Sequence, residues 1–372
     1  MKTCIYTKET FQKATGEHIL QNFLGARWVS SDISCDKVQE KFGQDIDCAL
    51  ADGLQGIRTL LGTKSGRGGE APDIKNIEDT KGNKYHLKPG GIPHIAQPII
   101  TVIPQEDDSH EVIAKLGDKQ QIGWFISKLR TMFPDNKSLI DIDAIKKEIL
   151  SYPKEKRYLD EALHIQLNFG GKNYFRGLLK SAFNLLGVNN SSIALLPCFD
   201  ALRTFIVDGV GDINKHIRWL SSSDELPINK MGLFDHFIGI YSHEGNVDGV
   251  VQFFGGISHL VRLTDEYNGP DIRYGYQVNP FRDSEPAENR APVFDPISVS
   301  FPKFDDGNKG SAQVQAVYKS IIERLLDRYL KMAKKEEVSK IIDEVLLPHD
   351  GEVLSEAILK RLENRLIEFL LR

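Results

Sequence analysis

The residues of this chain best suited to chemistry lie between Cys4 and Leu61 and centre on Gly16-Glu17-His18-Ile19. A carboxylate beside an imidazole places an oxygen donor for a hard cation next to a proton acceptor that works near neutral pH. The pair alone is common in proteins; its surroundings single it out. Cys4 precedes it, and Cys35 follows at the head of an element that runs from Asp36 through Gln39, Phe42-Gly43 and Ile46-Asp47 to Leu50. A His-bearing strand, a loop, a second strand and a helix form an order that can set a general base beside helix-borne metal ligands. Here that order would bring Glu17, His18 and Gln39 together.

A second group follows closely in sequence. Lys64-Ser65-Gly66-Arg67-Gly68-Gly69 is a basic, flexible loop whose amides, with Lys64 and Arg67, could hold phosphates, or which could be a solvated turn. Lys84, His86 and Lys88 before Pro89-Gly90-Gly91 read as a hairpin, with a phosphate-facing edge as the alternative. His236, His243 and His259 read as core or hairpin positions, and Tyr274-Gly275-Tyr276 as part of a long ordered loop. No Gly-x-x-x-x-Gly-Lys-Ser/Thr and no Gly-x-Ser-x-Gly occurs, so neither a P-loop nor a nucleophile elbow has a candidate.

The elements that must position these groups read as an α+β chain of 372 residues in three regions. Residues 1–79 hold three of the four Cys and short elements; residues 80–310 mix strand-like runs (His94 to Ile103, Phe234 to Tyr241, Gly249 to Phe254, Ser258 to Leu263) with a helix over Phe175 to Leu186. Asp265 to Gly310 reads as a long loop or arm until an extended run at Phe294 to Phe301. Residues 311–372 are helical: an amphipathic stripe from Val314 to Met332, a helix around Val338 to Leu346, and a last one from Val353 to Leu371. These helices could pack on their own domain or form an oligomer or partner-docking surface. Four Cys in so long a chain make no disulfide framework. A net charge of −5 opposes coating of nucleic acid by bulk electrostatics, so any such contact would be local. No apolar run reaches the ~18 residues of a membrane span and MKTCIYTKETF has no signal-like stretch, so a cytoplasmic protein without membrane contact is expected.

The first sixth of the chain resembles the bacterial HNH, or ββα-metal, endonucleases, which read Cys-x-x-Cys, Glu-His-Ile, then Cys-x-x-Cys-Asn-x-x-Phe-Gly-x-x-Ile-Asp-x-x-Leu. The matching residues are Cys4, Glu17-His18-Ile19, Leu24-Gly25, Cys35, Phe42-Gly43, Ile46-Asp47 and Leu50, with Arg58 and Leu60-Leu61-Gly62 continuing the likeness. Weaker likeness appears at Leu178 to Asn184, Phe199 to Ile206 and Val250 to Gly255. The resemblance implies an N-terminal ββα-metal module, a larger mixed α+β domain that restricts or selects substrate, and a helical C-terminal segment.

It further implies hydrolysis of phosphodiester bonds in DNA, with RNA left open, in bacterial defence against foreign DNA. His18 would be the base that activates water. One Mg²⁺ or Mn²⁺ would be held by Glu17 and Gln39, and the basic loop read above would add Lys64 and Arg67 as nucleic-acid contacts. Thr7 and Val38 stand where the family has the second Cys of each pair, and two thiolates cannot close a tetrahedral zinc site, so no structural zinc is expected. Gln39 replaces the family's Asn and adds a methylene. The alternative is a catalytically inactive HNH-like subunit that binds nucleic acid or a protein partner in a larger assembly.

Overall fold

The computed structural model describes residues 1–106, 110–134, 142–151, 159, 161–167, 169–220, 234–281, 303–307, 311–351 and 353–370. They form an α+β protein with several small antiparallel sheets and a helical C-terminal region. The chain groups into two compact units. One is drawn from Met1–Asn184, Arg203–Gly211 and Phe281–Asn289, the other from Leu185–Leu202, Asp212–Pro280 and Arg290–Arg372. No helix among the described residues is long and apolar enough to cross a membrane.

The first unit opens with two very short hairpins. Strands β1 (Lys2–Thr3) and β2 (Thr10–Phe11) pair across a turn in which Lys8 adopts φ 60° and its N–H donates to the Cys4 carbonyl. Strands β3 (Glu17–His18) and β4 (Val29–Ser30) pair Glu17 with Ser30 and His18 with Val29, and Ile19 N–H to Trp28 O extends the ladder. A two-residue ladder is too short to stand alone, so its position depends on what packs against it. Helix α1 (Asp36–Phe42) follows, then a π turn over Gly43–Asp47, then α2 (Cys48–Leu61). Strand, loop, strand and helix thus come in the order read from the sequence. Gly62 ends α2 with φ 68°, a left-handed cap that lets its N–H reach the Arg58 and Thr59 carbonyls.

Beyond α2, β5 (Ile74–Asp79), β6 (Lys84–Lys88) and β7 (Ile92–Ile95) form a meander, so Lys84, His86 and Lys88 do sit on a hairpin. Next come the hairpin of β8 (Ile99–Pro104) and β9 (His110–Lys115), then α3 (Gln121–Met132) and α4 (Ile142–Ser151), joined in one apolar cluster around Phe125. β10 (Leu163–His164) completes the sheet of β5, β6 and β7 at its β5 edge. The run read as one strand from His94 to Ile103 is therefore split between β7 and β8. Helix α5 (Lys172–Asn189) contributes Lys172 to Asn184 to this unit. Gly177 lets it lie close to the α1–α2 run, since a Cβ there would stand 3.1 Å from Leu50 Cβ and 3.3 Å from Ile46 O.

In the second unit, α6 (Ser191–Ala194) and the first residues of α7 (Asp200–Asp208) precede an antiparallel sheet. Its strands are β11 (Ile217–Trp219), β12 (His236–His243), β13 (Asn246–Phe253), β14 (Ile257–Thr264) and β15 (Arg273–Val278), in the order β11-β14-β13-β12-β15. Its central strands are buried at nearly every position, so both faces are covered. Tyr274-Gly275-Tyr276 lies in β15 and pairs with β12, so the segment expected to be a loop contains an edge strand. The run Phe294 to Phe301, and Arg282 before it, lie outside the described residues. At the C-terminus, α8 (Ser311–Leu346) is one unbroken helix where two were expected, because Ala333-Lys334-Lys335-Glu336-Glu337 are all good helix formers. α9 (Glu356–Leu370) follows, and Arg365 pairs with Glu344 of α8 at 3.0 Å.

The three histidines take structural places. His236 accepts a hydrogen bond from Phe254 N–H through Nδ1, and His243 pairs with the buried Asp248, which Arg262 also holds. His259 is fully buried against Trp219, and burial pulls its pKa down to about 3. The folded chain therefore refuses a proton that the unfolded chain accepts below about 6.5. Stability should fall as pH drops from that value toward 3, by up to about 1.4 kcal/mol per pH unit. Urea denaturation at pH 7, 5 and 4 should show His259→Phe losing that slope.

Candidate active site around Glu17 and His18

Helix α5 is apolar along most of its length, yet Lys180, Ser181 and Asn184 interrupt it and are all buried. The i, i+4 spacing of Lys180 and Asn184 puts both on one face. Lys180, 1% exposed, is the centre: its Nζ lies 2.6 Å from Glu17 Oε1 and 2.7 Å from Asp47 Oδ2, above the Phe42 ring. Glu17 reaches it from β3, and Asp47 from the π turn, an insertion that breaks the regular 3.6-residue stagger of the helical run. Asn184 Nδ2 donates to the His18 carbonyl at 2.9 Å and to Glu17 Oε1 at 3.3 Å, while its Oδ1 accepts from Tyr6 Oη. Ser181 Oγ donates to Gln21 Oε1, and Gln21 Nε2 to Asp47 Oδ1. Three separate stretches of chain are thus joined through one ammonium group.

The electrostatics follow from that closure. Burial works against the Lys180 charge, but Asp47 and Glu17 outweigh it and hold the ammonium above its ordinary pKa. Burial pushes the Glu17 carboxyl up, and Lys180 pulls it part of the way back. His18 is half-buried on the neighbouring strand position; burial lowers its pKa, and the Arg67 and Lys180 charges lower it further. Its imidazole is therefore neutral at pH 7, the state a general base needs.

Cys4, Thr7, Cys35 and Val38, the positions matched to cysteines in the sequence resemblance, lie together. The Cys35 thiol contacts the Cys4 and Thr7 side chains, and Val38 N–H donates to the Cys35 carbonyl. Cys4 is fully buried and Cys35 half-buried, with burial raising the Cys35 pKa. Arg203, buried beside Phe183, donates to the Ile5 carbonyl and braces this turn.

Gln39 is placed differently. Its Oε1 accepts from Thr15 Oγ1 at 2.7 Å, and its Nε2 donates to Thr15 O and to Ser34. Glu17 and Gln39 thus face different partners. Among the described residues, no three His, Cys, Asp or Glu side chains are disposed to hold a metal ion. Glu17 Oε1 is taken by Lys180 and Asn184, and both polar atoms of the Gln39 amide by Thr15 and Ser34, so the two residues the resemblance names as ligands do not converge on one point. Lys64 and Arg67 are both exposed, on the loop after α2. Gly66 N–H donates to Asn22 O at 2.8 Å, which seats that loop on the β3–β4 connection.

Sequence reasoning missed Lys180, Asn184 and Asp47 as partners of Glu17. The available signal was three polar residues within the otherwise apolar Leu178 to Leu186. No family model, no curated protein and no solved structure matches the chain.

Breaking a buried ion pair on one side costs about 3–5 kcal/mol, because the remaining charge stays buried. Lys180→Met should lose that much in urea denaturation, and Lys180→Met with Glu17→Gln should recover part of it.

Proposed function

We propose that this chain is an HNH-type endonuclease that hydrolyses phosphodiester bonds in DNA, with His18 as the base that takes a proton from the attacking water. The observation that carries this reading is the His18 ring: half-buried, kept neutral, and held on a strand whose carbonyl and neighbouring carboxylate are both fixed by α5. Its ring nitrogens make no hydrogen bond to the described residues, so they are available to a water. Arg67, whose charge acts on His18, could receive the phosphate, with Lys64 on the same loop. The gathering of Cys4, Thr7, Cys35 and Val38 supports the family resemblance without supplying a zinc site. A role in defence, and a cytoplasmic address, belong to the same proposal.

A second reading has its own support. Glu17 is locked to Lys180 and Gln39 to Thr15 and Ser34, an arrangement suited to a non-cleaving module that binds nucleic acid or a protein partner.

Incubation of supercoiled plasmid, single-stranded DNA and RNA with Mg²⁺, Mn²⁺ or EDTA separates the two. The nuclease reading expects wild-type cleavage that falls at least 100-fold, on the order of a lost general base, in His18→Ala. Cleavage only by Gln39→Asn would mark a dormant centre. Wild-type cleavage that persists in His18→Ala would remove His18 from the chemistry, and no cleavage by either protein would favour the binding module.

A further inference from the structure

Helix α2 carries a cation that has no anion beside it among the described residues. Arg58 is 5% exposed, yet its Nε has no hydrogen-bond partner and no carboxylate pairs with it among the described residues. Burial lowers its pKa to about 10 with no neighbouring charge to oppose the shift. Among the described residues its guanidinium sits over the Phe23 ring, 5.4 Å from the guanidinium carbon to the ring centre. A cation–π contact offsets only part of what burying a charge without a counter-ion costs. Packing alone thus does not account for an arginine at this place.

A second orphan comes from the same helix end. Thr63 is 1% exposed, its Oγ1 has no partner among the described residues, and its N–H donates to the Arg58 carbonyl at 3.2 Å. Phe23 belongs to the β3–β4 connection, and the loop bearing Arg67 is pressed onto that same connection. A Cβ on Gly66 would stand 2.1 Å from the Ala26 carbonyl oxygen, so the loop has no room to lift a larger residue there. Arg67 itself is exposed and makes no ion pair among the described residues.

We propose that Arg58, Thr63 and Arg67 form a phosphate-binding site beside the β3–β4 connection. A guanidinium fork and a hydroxyl are donors that suit a group with several oxygens, and phosphate is the oxyanion that an arginine fork matches with two parallel bonds. Its source is a backbone phosphate of the nucleic acid near the one cleaved at His18. The inference deepens the nuclease reading and rests on it for that source, while the site's chemistry stands on the orphaned donors.

Thermal melting of the full chain tests it without turnover. The probes are inorganic phosphate, a single-stranded 12-nucleotide DNA, and the same DNA with neutral methylphosphonate linkages, all at constant ionic strength. We expect phosphate and the natural DNA to raise the wild-type Tm by a few degrees, and the neutral DNA to do so less. Arg58→Met should abolish the shift, Arg58→Lys should keep part of it, and His18→Ala should keep all of it. Because Arg58→Met removes an unpaired buried charge, its Tm without phosphate should be no lower than that of the wild type. If that variant fails to fold, Thr63→Val and Arg67→Gln carry the comparison, each with a reduced shift. A response to inorganic phosphate alone would support the site with free phosphate as its source. No wild-type response, or equal shifts in every variant, would overturn it, even where the plasmid assay finds cleavage. A shift that depends on Arg58 without cleavage would keep the site and refute the nuclease.

Discussion

An ammonium group can stay charged inside a protein only where carboxylates replace the water it has lost. Lys180 meets that condition by drawing Glu17 and Asp47 to itself, and much of the first unit is arranged around the result. β3 is two residues long and makes too few ladder bonds to hold a position by itself. Its anchoring comes from outside the hairpin, through Glu17 to Lys180 and the His18 carbonyl to Asn184. The π turn is the counterpart on the other side, since it delivers Asp47 between two regular helices. Gly177, one turn before Lys180, allows the approach that makes these contacts reachable.

This constraint has a chemical consequence. The carboxylate next to the candidate base is bonded to an internal cation, and the positive charges that act on His18 are those of Arg67 and Lys180. Burial first, and these charges after it, lower the imidazole pKa. The Cys35 thiol meets the Cys4 side chain, and Ile5, Val38 and Phe42 are buried in the same stretches of chain, with Arg203 donating to the Ile5 carbonyl.

Much of this architecture was legible in the sequence because it is local. The order of strand, loop, strand and helix followed from Glu17-His18 and the Cys35 to Leu50 pattern, and the α5, β12, β13 and β14 runs were visible in their hydrophobicity. The site partners were not, since Lys180 lies 163 positions after Glu17 and no local period links them. A lysine within an apolar helix reads as a solvent-facing interruption until the acids that cover it are known. The resemblance puts Gln39 at a ligand position, and its amide bonds Thr15 and Ser34, partners that only the folded loop supplies. β15 was hidden for another reason: an edge strand with Gly275 at its centre has a weak alternating pattern and borrows its order from β12.

The central claim is that Lys180 holds β3 in place. Amide hydrogen exchange in wild type and Lys180→Met tests it most directly, read at Ile19, whose N–H closes the ladder onto Trp28. The account predicts that Ile19 protection collapses in the variant while amides inside α2, such as that of Leu54, stay protected. Equal protection of Ile19 in both proteins would show that the hairpin holds itself, and would contradict the account.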